Sequence, residues 1–279
     1  MFHSSGTGIA HCDDHKIKSD CLNMELILER VETFLLVLIR LLVFLSFMPL
    51  FKSRSLPRMT KIAISIVFAI VLFPLIPTPE GIANNAIAYS LLICKEIIVG
   101  IILGFATEFI FHGVRFAGHI LGHQLGLAMA SVLDPQTSEQ ISIIGQFKWL
   151  LAIMLFLAME GHHIFLEAMA VSFKLIPLTG IVLNEGLVPY IIRLSTQIFV
   201  IAIQISAPVM AALIMTNMGM GLLARTLPQM NIFIVGFPLT IGIGLISIAL
   251  GIPFFALTMD RLLGLAKNII ADLLKLLAP

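Results

Sequence analysis

Long apolar runs separated by short polar turns organise this chain. Six stand out, at roughly 33–51, 62–76, 86–111, 149–173, 190–216 and 232–257, with a weaker, glycine-rich seventh at 116–133. About 20 apolar residues carry a helix across a bilayer. The runs lack period-2 alternation and are rich in Leu, Ile, Ala and Met, which predicts helices and not barrel strands. The 62–76 run is short, held between Lys61 and Pro74, and is expected to lean on protein more than on lipid. Over 258–279 the pattern changes. Leu262, Leu263, Leu265, Ala266, Ile269, Ile270, Leu273, Leu274 and Leu277 recur at helical spacing against Asp260, Arg261, Lys267, Asp272 and Lys275. That spacing predicts an amphipathic helix lying on a membrane or a partner. The polar cluster at 174–189, with Pro177, Gly180, Gly186 and Pro189, predicts a boundary, and the two apolar runs after it a helical hairpin.

Composition supports a membrane protein and removes other classes. The chain is 59% hydrophobic and 12% charged, with mean hydropathy +1.05, which excludes an ordinary soluble or disordered domain. A net charge of +1 leaves no electrostatic case for nucleic acid. Lys52, Arg54, Arg58 and Lys61 crowd the first loop without an acid, so 52–61 is expected in the cytoplasm and the N-terminus in the periplasm. Counting six crossings, with 112–148 as one inward region, returns the C-terminus to the outside. Residues 1–23 have no apolar core, which excludes a signal peptide and predicts a disordered tail or a misassigned start ahead of Met24. Cys12, Cys21 and Cys94 show no metal-ligand spacing. There is no Walker lysine motif, GxSxG or HExxH, and no metal or cofactor is expected.

The densest chemistry lies between Ile97 and Pro135. Gly100 and Gly104 stand four apart, and Gly118, Gly122 and Gly126 repeat that spacing, as in helices that approach closely in lipid. Glu108, His112, Arg115, His119, His123 and Gln124 interrupt the ladder, and lipid does not tolerate them facing outward. Glu108 and His112 are placed to satisfy one another, with Arg115 in reach. Lys95 and Glu96 are adjacent, point roughly 100° apart and each need a partner elsewhere, on another chain in one reading. Glu160, His162, His163 and Glu167 share a later run, where a polar interhelical contact competes with a proton or metal path. Met210, Met215, Met218, Met220 and Met230 gather around Gly219 and Gly221, suited to repacking or to ordinary core.

Residues 99–135, VGIILGFATEFIFHGVRFAGHILGHQLGLAMASVLDP, resemble the core signature of the FliR family of type III secretion export-gate proteins. The segment 221–241, GLLARTLPQMNIFIVGFPLTI, is similar to that family's second signature. The resemblance implies an all-α polytopic fold of helical hairpins, with a FliP-like part over 24–185 and a FliQ-like hairpin with a C-terminal amphipathic helix over 186–279. It implies a non-enzymatic subunit of the flagellar export gate in the bacterial inner membrane and flagellar basal body. FliP and FliQ chains would share that gate, FlhB would wrap its cytoplasmic side, and unfolded export substrates would pass through it. The family's plug matches residues 110–126, including Gly113, Arg115, Phe116, Gly118, Gly122 and Gly126. Gly100, Gly104, Lys95, Glu96 and Glu108 then become subunit-packing residues. An injectisome-type homologue shares this plan. The rival class is a secondary proton or metal transporter using Glu108, Glu160, His163 and Glu167.

Overall fold

One 39-residue helix, α3 (Ala86–Gln124), is the axis on which the rest of the chain packs. The computed structural model describes residues 10–51, 57–77, 86–127, 142–178, 180–182, 184–227, 229 and 232–279. Before α3 come α1 (Ala10–Phe47) and α2 (Arg58–Leu72), the latter continued by a 3-10 turn at Phe73–Leu75. After it come α4 (Ile143–Ala158), α5 (Gly161–Leu175), α6 (Leu187–Thr226), α7 (Ile232–Leu250) and α8 (Ile252–Leu277). No strand occurs among the described residues. The all-α expectation holds. Helix α3 packs against α1, α4, α6 and α8, and α7 is reached through α6.

Two sequence expectations are corrected here. Residues 112–124 are not part of an inward loop but continue α3 for three further turns. Polar residues break a hydropathy run without breaking a helix, and Glu108 with His112 supports the backbone at i, i+4. Conversely, the 149–173 run is not one helix. It bends by 70° at Met159–Glu160, where Glu160 takes a left-handed φ of 55°. Among the described residues, three helices are long and apolar enough to cross a membrane, or up to five if each bent pair counts as one, against the six crossings expected. Residues 10–23 are helical within α1, and residues 1–9 lie outside the described residues.

The C-terminal helix is the largest surprise. Phe255, Met259, Leu262, Leu263, Ala266, Ile269, Ile270, Leu273, Leu274 and Leu277 are all buried inside this chain, against α3, α4, α5 and α6. The stripe that predicted a membrane or partner contact is core. The loop between α5 and α6 is stitched to its end: the Val182 amide donates to the Leu277 carbonyl (3.3 Å) and the Asn184 side-chain amide to the Leu276 carbonyl (3.0 Å). These bonds satisfy carbonyls that a helix end leaves without an intrahelical partner. The predicted boundary therefore falls in a real interhelical loop. Yet one hydrophobic core runs across it, joining Leu36, Phe109 and Phe165 to Leu194, Ile205 and Leu273.

Candidate functional site

The glycine ladder forms a single stripe. Gly100 and Gly118 are eighteen residues apart, as are Gly104 and Gly122, and that is five full helical turns. Both pairs therefore share one face of α3, which meets α1 below and α4 above. A Cβ at Gly100 would lie 2.9 Å from Val43 Cβ, and one at Gly104 2.7 Å from Phe47 Cβ. Higher up, a Cβ at Gly118 would overlap the backbone of Gly145, and one at Gly122 the Ser142 hydroxyl. Gly113 faces another way, where a Cβ would stand 2.7 Å from Ile201 Cγ2 on α6. Each of these glycines lets a helix of the same chain approach, so Gly100 and Gly104 serve packing within the subunit.

Ser142 locks the α3–α4 crossing. Its hydroxyl donates to the Gly118 carbonyl (3.2 Å) and accepts from the Gly145 amide (3.2 Å), capping α4 while binding it to α3. Among the ladder glycines only Gly126 needs glycine's backbone freedom, with φ +75° just past the end of α3.

A second stripe lies beside the first. At 100° per residue, Glu108, His112, Arg115, His119 and His123 fall within an arc of about 80° on α3. Glu108 is buried and pairs with His112 at 3.5 Å, as the i, i+4 spacing predicts. The Arg115 guanidinium lies 5.1 Å from the Trp149 ring centroid on α4. The other flank is apolar: Phe116 meets Phe199 of α6 edge-on at 5.3 Å. Exposure grows along the stripe, from Glu108 to the exposed His123.

Glu96 is not waiting for another chain. It pairs with Arg40 of α1, and both side chains are buried. Arg40 Nη1 also donates to the Ile176 carbonyl (3.0 Å) and lies 3.5 Å from the Ser172 carbonyl, while the guanidinium stands 4.5 Å from the Phe173 ring centroid. One arginine thereby ties α1 and α3 to the end of α5. Sequence reasoning passed over Arg40, although a lone arginine inside the run LLVLIRLLVF was a signal that an acid had to be near. Lys95, next to Glu96, is half-buried on α3.

The transporter residues are not gathered. Glu160 and His163 pair at 3.6 Å on the exposed α4–α5 turn, and Glu167 is exposed on α5. Glu108 sits with His112 in the middle of α3. No group of three or more His, Cys, Asp or Glu placed to hold a metal occurs among the described residues.

What the fold does bring together is the two sequence segments that carried the resemblance. At the end of α3 an open hollow of about 210 Å³ is lined by Gln124 and Gly126 from the first, and by Gly236, Phe237 and Thr240 from the second. A Cβ at Gly126 would reach to 2.7 Å from Phe237 Cε2, so the ring occupies the space that glycine leaves. Asn217 and Met220 of α6 close the wall. Among the methionines, Met220 is buried while Met215 and Met218 are exposed; Met230 lies outside the described residues.

Comparison with known proteins finds the same relationship over nearly the whole chain. A family described as "Bacterial export proteins, family 1" matches residues 31–266. The "Flagellar biosynthetic protein FliR" of Bacillus subtilis is 32% identical over 91% of this chain and 98% of its own length. The protein of that name in Escherichia coli is 30% identical over 85% of this chain and 90% of its own.

Proposed function

This chain belongs to the bacterial export proteins of family 1, and within them to the FliR family; from that premise we propose that it is a non-enzymatic wall and plug subunit of the flagellar protein export gate. As a FliR-family protein it is a membrane component of flagellar biosynthesis and export. In the proposed gate its neighbours are FliP, FliQ and FlhB family chains, and unfolded flagellar proteins are what passes. The gate sits in the inner membrane at the basal body, with the basic 52–61 loop toward the cytoplasm and the N-terminus toward the periplasm. The flagellar designation of the relatives favours this branch over an injectisome.

One observation carries the proposal. Helix α6 exposes large apolar residues from Val188 and Ile192 through Phe199, Ile203 and Ile214 to Met218 and Leu222. Its 40 residues extend about 60 Å, while the hydrocarbon core is about 30 Å thick. Fitting that length into the slab needs a tilt of about 60°, beyond the 0–40° that spanning helices adopt. Lipid therefore covers no more than part of this face, and water does not cover the remainder cheaply. Other protein must. The polar side chains Arg193, Thr196, Gln204 and Asn217 punctuate the same exposed face, as suits helices that offer hydrogen bonds.

Affinity purification from native membranes tests this reading. The chain is expected to come out with several distinct membrane subunits and to crosslink to them through Cys placed at Ile203 or Met218. Recovery as a monomer or homo-oligomer would overturn it. The plug is assigned to 110–126, where Phe116 meets Phe199 edge to face. Phe116→Gly is expected to leave the complex assembled but conducting ions, and an assembled variant as tight as its parent would remove the plug from this segment.

A further inference from the structure

Of the three unbent candidate spans among the described residues, α2 with its 3-10 extension is built unlike the other two. Only 11% of its residues are buried within the chain, against 28% and 33% in the most apolar windows of α3 and α6. Its contacts are with α1, through Ser65 and Ala69. Ile62, Ile66, Val67, Ile70, Val71 and Leu75 are exposed and spread over about half of the helix circumference or more. A single partner helix covers a stripe of about 100°, so that flank is too wide for one.

Length and polarity separate lipid from protein as the occupant. The fifteen α-helical and three 3-10 residues rise about 28 Å, close to the roughly 30 Å of hydrocarbon, whereas α3 and α6 are about twice that. Between Ile62 and Leu75 the one polar side chain is Ser65, and it is buried and donates to the Lys61 carbonyl (2.8 Å). The outward flank therefore offers no hydrogen-bonding side chain at all, in contrast to α6. At its start stand Arg58, exposed, and Lys61, half-buried, with no acid in the first turn. Basic residues at the end of an apolar span complement anionic headgroups. We infer that α2 is an element whose whole outward flank faces lipid, its apolar side chains in the hydrocarbon and Arg58 and Lys61 at the phosphates of anionic phospholipid.

Spin labels read the occupant directly. In a chain with Cys12, Cys21 and Cys94 replaced by Ala and assembled with its co-expressed partners in phosphatidylglycerol-containing bilayers, single Cys are placed at Val67, Ile70 and Val71. These side chains are 60%, 58% and 62% exposed, so a label at any one meets no core. Oxygen collisions are expected to exceed those of a nickel chelate several-fold at all three, with the greatest depth at Val67. A label at Ile203 on α6 is expected to be shielded from both. Low oxygen access on α2 would mean that another subunit covers it, and high chelate access would mean water; either overturns the inference. Arg58→Gln with Lys61→Gln is expected to lower co-purified phosphatidylglycerol, relative to phosphatidylcholine, about twofold or more. Unchanged retention would remove the headgroup contact. This result is separable from the gate proposal, because a chain purified without partners would sink the gate while the α2 spectra still reported lipid or water.

Discussion

Arg40 and Glu96 are fifty-six residues apart in sequence and form a buried ion pair at the junction of α1, α3 and α5. Breaking a buried ion pair by removing one partner costs about 3–5 kcal/mol. Arg40→Met and Glu96→Gln are each expected to lower accumulation and thermal midpoint sharply. The double variant Arg40→Met, Glu96→Met should recover most of the loss, since both charges of the buried pair are removed together. Parent-like stability of Arg40→Met alone would contradict this account.

Helical glycines with and without a close neighbour make opposite predictions. Gly118→Ala drives a methyl into the Gly145 backbone, which cannot rotate away as a side chain can. It is expected to separate α3 from α4 and block assembly. Gly264, on α8, has nothing within 4 Å of a Cβ. Gly264→Ala should stabilise by about 0.5–1 kcal/mol, because Ala loses less backbone entropy in a helix. Equal midpoints for the two variants would show that close approach is not what selects glycine at 118.

Ser142 separates capping from bridging. Losing the cap and the bond to the Gly118 carbonyl should cost Ser142→Ala about 1–2 kcal/mol. Aspartate caps helices as well as serine does, but here a carboxylate would face the Gly118 carbonyl oxygen with no proton to donate. Ser142→Asp is therefore expected to be less stable than Ser142→Ala by thermal unfolding. The reverse order would mean that the α4 cap matters and the bridge to α3 does not.

Lys148 is a buried cation on α4 whose ammonium stands 4.8 Å from the Phe255 ring centroid. Among the described residues it makes no ion pair, so burial is offset chiefly by a cation–π contact worth about 2 kcal/mol when desolvated. Lys148→Met keeps the length and drops the charge. Its thermal midpoint is expected to match or exceed the parent's, and a clear fall would reveal a stronger partner for the ammonium.

Much of this protein could be read along the chain. Helix content, the membrane class, the α5–α6 break and the Glu108–His112 pair follow from spacing between near neighbours, and a helix repeats that spacing wherever it is placed. The five-turn register that unites Gly100 with Gly118 is equally a property of sequence. Which helix fills each glycine notch is not, since α1, α4 and α6 arrive there only through the folding of distant segments. The same limit applies to the stripe on α8. Its periodicity is identical whether it lies on lipid, on a partner or in the chain's own core, and only tertiary packing assigned it to the core. Arg40 and Glu96 announced themselves as charges in apolar runs, but their pairing depends on α1 crossing α3 at the Gly100 notch, where the Arg40 carbonyl would lie 3.1 Å from an added Cβ. Periodicity is local and survives in the sequence; the choice of neighbour is a through-space competition that the folded chain alone decides.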